Sequence, residues 1–95
     1  MNKKIRWSQE KSNWLRNLNN RGRIGFEECA ILIEQEDILD IIQNPSKNFP
    51  DQKAYILNVD GYIYCVPFVE DDEEIFLKTL YPSRKLKAFY LDKQK

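Results

Sequence analysis

The side chains that could do chemistry in this chain are those of lysine, arginine, tyrosine and the acids, because its 95 residues include no histidine. The absence of histidine excludes imidazole acid–base catalysis and Ser-His-Asp triads, and it removes the commonest ligand of transition metals. Two cysteines, Cys29 and Cys65, are too few for a structural zinc site or a disulfide framework. We therefore expect no metal and no cofactor. Acid–base work would fall to Glu, Tyr or a lysine of lowered pKa, with Glu74, Tyr64 and Tyr81 as unranked possibilities.

Lys78 is the cation whose position is most unusual. It alternates with Phe76 and Leu80 along a predicted strand, so its side chain shares a largely apolar face. An unpaired ammonium group on such a face is costly, so Lys78 is either paired with the acidic run 70–74 or functional. Tyr62 and Tyr64 also alternate on a predicted strand, where they would stack on nucleobases or, as is commoner for such residues, fill the core.

Charge is segregated along the chain although the formal net charge is zero. Residues 1–23 carry seven bases and one acid, and residues 78–95 carry six bases and one acid. Residues 27–40 carry six acids and no base. This pattern indicates either ordinary solvated faces or a polyanion-binding surface formed by the two termini.

The length predicts one domain, residues 1–95, because two domains would each be too small to bury a core. No apolar stretch approaches the roughly 20 residues of a membrane span, and no signal peptide is expected at the N-terminus. We expect a cytoplasmic protein with free thiols, in which Cys29 is a small core residue and not a reactive thiol.

The hydrophobic periodicity predicts an α+β fold in the order ααββββα, with helices packed against an antiparallel sheet. Ser8 is the predicted N-cap of the first helix, and Asp60-Gly61 predicts a type I′ hairpin turn. Because Pro67 lacks an N–H, we expect its end of the third strand to be bulged or unpaired. The predicted elements are helices beginning at Ser8, Phe26 and Pro82, and strands at 38–42, 53–59, 62–69 and 75–80.

Each predicted helix has an apolar stripe for packing on the core. The stripes are Trp7, Trp14, Leu15 and Leu18 in the first helix; Phe26, Ala30 and Ile33 in the second; and Leu86, Phe89 and Tyr90 in the third.

Several short motifs in this order resemble the BrnT family, the toxin half of a type II toxin–antitoxin pair with the fold of RelE-like bacterial ribonucleases. The likeness covers nearly the whole chain, and its most specific block runs from Ile75 to Lys85 and on to Tyr90. In the family the last strand passes into a basic helix with a Ser or Thr, basic pairs and a terminal Tyr. The other motifs are Trp7-Ser8-Gln9-Glu10-Lys11, Arg21-Gly22, Phe26-Glu27-Glu28 and Lys53-Ala54-Tyr55-Ile56.

The resemblance implies a metal-independent ribonuclease that cleaves mRNA, with two N-terminal helices, a four-stranded antiparallel meander and a C-terminal helix. Such an enzyme uses the 2′-hydroxyl of RNA as nucleophile and supplies cations for the phosphorane charge. Candidate catalytic residues are Lys53, Lys78, Arg84, Tyr64 and Tyr81, and candidate RNA-binding residues are Lys85, Lys87, Tyr62 and Tyr90. We expect Lys53, Lys78 and Arg84 to converge on one phosphate-sized pocket.

Two departures from the family pattern leave an alternative open. Leu80 stands where family members commonly have arginine, and Leu86 where they often have glutamate. The chain is then either an active toxin or an impaired relative that binds RNA or protein; nothing specific favours a structural adaptor. The resemblance further implies a cognate antitoxin, DNA-binding and of ribbon-helix-helix type, in a complex with two copies of each chain. The free toxin is expected to be a monomer or weak dimer.

Overall fold

Six strands and three helices make up the parts of the chain that the structure, a computed structural model, describes: residues 3–18, 23–49 and 51–91. None of these helices is long and apolar enough to cross a membrane. In chain order the elements are β1 (Lys4–Arg6), α1 (Gln9–Arg16), α2 (Phe26–Glu34), β2 (Asp40–Gln43), β3 (Lys53–Val59), β4 (Tyr62–Glu70), β5 (Glu74–Leu77), β6 (Tyr81–Pro82) and α3 (Arg84–Tyr90).

The strands form one mixed sheet in the order β1-β5-β4-β3-β2. Strands β2 to β5 follow one another in the chain and pair antiparallel, which confirms the predicted meander. Strand β1 lies parallel to β5, and the short β6 pairs with β4. The α+β class is therefore confirmed, but the prediction of four strands was wrong, since the described residues form six and one precedes the first helix.

Both faces of the sheet are covered, and each has its own core. Alternation along β3 sends Tyr55 and Leu57 toward α1 and α2, and Ala54 and Ile56 toward α3 on the opposite face. Tyr55 stacks on Phe68 with ring centroids 4.1 Å apart, which anchors the larger core. The helices thus lie on both faces, an arrangement that the predicted element order did not specify.

Local signals in the sequence placed several elements correctly. The Ser8 hydroxyl accepts a hydrogen bond from the Lys11 N–H at 3.2 Å, as an N-cap should. Asp60 and Gly61 both have positive φ, 53° and 87°, as a type I′ turn requires. The second helix begins at Phe26 as predicted, and its Phe26, Ala30, Ile33 and Cys29 side chains are buried.

The predicted interruption at Pro67 was wrong. Strand β4 runs through it to Glu70, and Pro67 stays in register with Ala54 of β3. Its carbonyl accepts a hydrogen bond from the Lys78 N–H at 2.8 Å, just past the end of β5. The missing N–H of Pro67 therefore lies on the edge of β4 that faces β5, at a point where β5 has already ended. The pairing of β4 with β3 on the other edge is not interrupted.

The C-terminal elements also differ from the prediction. Strand β5 ends at Leu77 and not at Leu80, and Pro82 belongs to β6. Ser83 is the N-cap of α3, with its hydroxyl accepting from the Leu86 N–H at 3.2 Å. Two side chains predicted to be buried are exposed, Trp14 to 58% and Phe89 to 55%, since α1 and α3 each bury only one narrow face.

Candidate functional site

A cavity of about 250 Å³ lies where the β2–β3 loop meets the segment between β5 and β6. It receives side chains from four regions of the chain: α1, the β2–β3 loop, β4 and residues 78–81. The described residues that line it are Lys11, Asn44, Ser46, Phe49, Gln52, Pro67, Lys78, Thr79 and Tyr81. We call it the Lys11–Lys78 cavity.

Backbone pairing fixes the wall on the C-terminal side. The hydrogen bond from Lys78 to the Pro67 carbonyl holds Lys78 beside β4. Tyr81 lies in register with Cys65 of β4 and also packs against the core beneath α3. Burial raises the pKa of the Cys65 thiol, and a hydrogen bond with Tyr81 offsets part of that rise. Lys78 and Tyr81 are therefore held to the same strand, three positions apart in the chain.

The β2–β3 loop forms the facing wall and is organised by its own polar groups. The Asn44 N–H donates to the Gln52 carbonyl at 2.8 Å, which closes the loop at its base. The buried Asn44 side chain accepts from the Ser46 N–H at 3.1 Å and donates to Gln52 Oε1 at 3.3 Å. The Phe49 N–H donates to the Ser46 carbonyl at 3.3 Å, so Phe49 is carried on a structured turn.

The electrostatics of the cavity favour an anion. Of the described residues that line it, two are lysines and none is an acid, in a chain with as many acids as bases. The predicted pairing of Lys78 with the acidic turn is not formed: Glu70 binds Lys3 at 2.8 Å and Glu74 binds Arg6 at 3.1 Å. Lys78 is exposed, and its Nζ lies 5.4 Å from the Phe76 ring centroid.

The predicted convergence of three cations is not found. Lys53 points to the face covered by α1 and α2, where its Nζ lies 4.0 Å from Glu70 Oε1. Arg84 begins α3 on the opposite face, and neither residue lines the cavity. Tyr64 is buried in the larger core, and this burial raises the pKa of its phenol. Of the five candidate catalytic residues, the cavity brings together Lys78 and Tyr81, and the roles of all five stay predictions.

The four candidate RNA-binding residues lie at three places on the structure. Lys87 Nζ lies 5.5 Å from the ring centroid of the exposed Tyr62, so these two form one basic-aromatic pair. Tyr62 is five residues from Pro67 along β4, roughly 17 Å in a strand. Lys85 is exposed on α3, whereas the Tyr90 hydroxyl donates to Asp40 at the far edge of the sheet.

A second polar cluster joins α1 to α2, and we call it the α1–α2 network. The Arg16 guanidinium binds both oxygens of Glu28 at 2.7 Å, and the Ser12 hydroxyl donates to Glu27 at 2.5 Å. Ser12 in turn accepts from the Phe26 N–H at 2.9 Å at the start of α2. Hydrogen bonds from Ser12 and Gln9 lower the pKa of Glu27 to about 2. The polar groups of this network hydrogen-bond to one another, as expected for a cluster that holds α1 against α2.

Cys29 lies in the larger core. Burial raises the pKa of the Cys29 thiol to about 12, so this cysteine is a protonated core residue at neutral pH, as expected. Within the described ranges, no cluster of three or more His, Cys, Asp or Glu side chains could hold a metal ion.

Sequence reasoning missed most of the cavity. Lys11, Asn44, Phe49 and Gln52 line it but were not among the candidates. The one available signal was the Asn44-Pro45 turn followed by a loop, which indicated an irregular segment but not the elements that it contacts.

Comparison with known proteins gives no match for this chain: no family model, no curated protein and no solved structure matches it.

Proposed function

We propose that the chain is a metal-independent ribonuclease of the toxin class, similar to BrnT toxins with a RelE-like fold, and that RNA binds at the Lys11–Lys78 cavity. One observation carries the proposal: two lysines line a cavity whose described lining contains no acid. A phosphodiester is the anion that such a site suits, because lysine binds phosphate as a point charge.

The cleavage proposed here needs no nucleophile from the protein. The 2′-oxygen of RNA forms a bond to the adjacent phosphorus while the bond from phosphorus to the 5′-oxygen breaks. The 2′-hydroxyl proton passes to solvent water, and a proton from Tyr81 reaches the departing 5′-oxygen. Tyr81 then takes a proton back from solvent. Lys11 and Lys78 offset the extra charge of the phosphorane, and Tyr81, the phenol in the cavity wall, is the proposed proton donor.

Incubation of the purified chain with end-labelled RNA in EDTA tests this proposal. We expect 2′,3′-cyclic phosphate and 5′-hydroxyl ends, and a rate that falls about a hundredfold in Lys78→Ala, as for loss of one charge-stabilising donor. Lys4→Ala is the matched control, because Lys4 is an exposed lysine on β1, at the opposite edge of the sheet from the β2–β3 loop. Intact RNA with verified folded protein would contradict the nuclease proposal.

RNA binding without cleavage is the second candidate function. It is favoured by the separation of Lys53 and Arg84, which lie on opposite faces and leave the cavity with two cations. Tight binding of RNA together with unchanged RNA after long incubation would support this alternative. In that case Lys78→Ala should weaken RNA binding, and neither the unaltered chain nor the variant should cleave RNA.

The proposed partner is a cognate antitoxin of ribbon-helix-helix type. Supporting it is the segregation of charge: acidic residues 27–40 suit a basic segment of a partner, and the basic α3 suits an acidic one. Expression of the chain alone should arrest growth, and co-expression of the neighbouring gene should restore it. Light scattering should give a monomer or weak dimer for the free chain; a tight tetramer would count against this assembly.

A further inference from the structure

The walls of the Lys11–Lys78 cavity include apolar surface in addition to the cations that would bind a phosphate. Phe49 and Pro67 contribute apolar surface, and the stems of the two lysines add to it. Phe49 is 53% exposed although it is a large aromatic residue on an ordered turn. A binding site for phosphate alone gains nothing from an open aromatic face, whereas every nucleobase stacks on one.

The polar groups of the cavity are fixed in orientation by the loop itself. Asn44 Oδ1 accepts from the Ser46 N–H, so the other atom of that carboxamide is Nδ2, a donor. Nδ2 donates to Gln52 at 3.3 Å, which identifies the Gln52 atom at that contact as Oε1. The Gln52 amino group is therefore turned away from Asn44, and Gln52 is one of the residues that line the cavity.

A carboxamide held this way has two N–H donors that the contact with Asn44 does not use. The lysines of the lining can only donate, whereas the hydroxyl groups of Ser46 and Thr79 can donate or accept. Uracil presents two carbonyl oxygens to donors of this kind. Adenine accepts only at ring nitrogens and carries an amino donor of its own.

We propose that the Lys11–Lys78 cavity holds one carbonyl-bearing nucleobase of single-stranded RNA, stacked on Phe49 and hydrogen-bonded by Gln52, with the adjoining phosphate at Lys11 and Lys78. The volume of about 250 Å³ is just below the roughly 300–1,000 Å³ of pockets for drug-sized ligands, as suits one base with part of its sugar. The inference rests on the proposed function, since it names the part of RNA that the same site recognises.

Hexanucleotides that cannot be cleaved separate base recognition from phosphate binding and from catalysis. The probes are 2′-O-methyl hexamers of uracil and of adenine, and an abasic hexamer of equal charge, each carrying a fluorophore for anisotropy. With the full chain, we expect the uracil hexamer to bind at least tenfold more tightly than the abasic one and several-fold more tightly than the adenine one.

Variants then locate the base. Phe49→Ala should remove the advantage of the uracil hexamer over the abasic hexamer, because the stacking face is lost. Gln52→Ala should remove the preference for uracil over adenine. Phe89→Ala is the matched control, since Phe89 is equally exposed but lies on α3, and it should leave all three affinities unchanged.

The outcomes distinguish this inference from the proposed function. Equal affinity for the uracil and abasic hexamers would overturn the base site and leave RNA binding intact. An equal loss in Phe49→Ala and Phe89→Ala would also overturn it, because the base would not then lie at this cavity. No binding of any hexamer by folded protein would overturn both proposals.

Discussion

The Tyr90 hydroxyl donates a hydrogen bond of 2.6 Å to the Asp40 carboxylate, which joins the last turn of α3 to the edge strand β2. Tyr90 packs with Leu86 and Leu91 against the core of the α3 face. Asp40 lies opposite Ile56 of β3, so its carboxylate is held by the pairing of the sheet. A residue proposed to bind RNA thus has a structural contact as well.

Replacing Tyr90 with phenylalanine should lower the free energy of unfolding by about 1 kcal/mol, a typical net value for one hydrogen bond at an exposed site. The ring and its packing are retained, so urea denaturation should show a lower midpoint with an unchanged slope. If Tyr90→Phe also leaves RNA affinity unchanged, a role of the Tyr90 hydroxyl in RNA binding is excluded.

Alkaline pH should weaken the same contact. The hydrogen bond with Asp40 raises the pKa of Tyr90 to about 12, because ionised tyrosine cannot donate and would face a carboxylate. A raised pKa means that the contribution is fully present below about pH 10, the unfolded value, and is lost as the pH rises toward 12. Stability curves of the unaltered chain and Tyr90→Phe should converge over that interval; parallel curves would contradict this.

Gly25 should resist substitution for a steric reason. A Cβ there would lie 2.8 Å from Arg16 Nη2 and 2.7 Å from Glu27 Oε1, inside the α1–α2 network. Gly25→Ala should therefore cost about 1–3 kcal/mol of stability, the usual range for overpacking.

Gly61 should resist substitution for a different reason. A Cβ at Gly61 would meet no atom within 4 Å, but φ is +87°, so Gly61→Ala should cost about 1–2 kcal/mol through strain in the backbone. Gly61→Asn should recover part of that loss, whereas a side chain larger than alanine at Gly25 should cost more than alanine does.

Acid should destabilise the chain through Glu27. Its pKa is about 2 in the folded chain and 4.5 ordinarily, with the Ser12 hydrogen bond as the main cause. A lowered carboxyl pKa contributes stability above pH 4.5 that is lost as the pH falls toward 2. Glu27→Gln should thus be less stable than the unaltered chain at pH 7, by about 1 kcal/mol after solvent screening. The difference should shrink steadily by pH 3 in urea melts, and a constant difference would contradict the assignment.

Lys78→Ala should relieve toxicity and reduce the salt dependence of RNA binding. Removing one phosphate contact lowers the slope of log affinity against log salt by roughly 0.7 for a single strand. Arg84→Ala is predicted to relieve toxicity as well, and Lys87→Ala only to soften it. Folded Lys78→Ala protein with full toxicity and an unchanged slope would remove Lys78 from the site.

The parts of the fold that the sequence predicted depend on neighbouring residues. The Ser8 cap and the Asp60-Gly61 turn are short-range signals, and both are present. Strand β1 was missed because Lys4-Ile5-Arg6 has only three residues and its partner lies far along the chain. A sequence pattern within a few residues cannot predict pairing with a strand so far along the chain. The two residues of β6 are too few to show any periodicity.

Only the part of the candidate site that comes from neighbouring residues was predicted. Lys78 and Tyr81 are close in sequence and lie in one cavity. Lys53 was assigned there, but its predecessor Gln52, the last residue of the β2–β3 loop, is the one that lines the cavity. Lys53 begins β3, and its Nζ lies near Glu70. Lys11 comes from α1, and only the tertiary arrangement brings it to the loop.

The parallel pairing of β1 with β5 has a kinetic consequence. Arg6 and Glu74, whose side chains form an ion pair, are 68 positions apart in the chain. During translation β1 is made before the other described elements, yet it has no strand to pair with until β5 has emerged. Such non-local pairing is slow, because the loop must close before any contact stabilises it. The pairing of β1 with β5 is therefore expected to form late in folding, after the local pairing of β3 with β4.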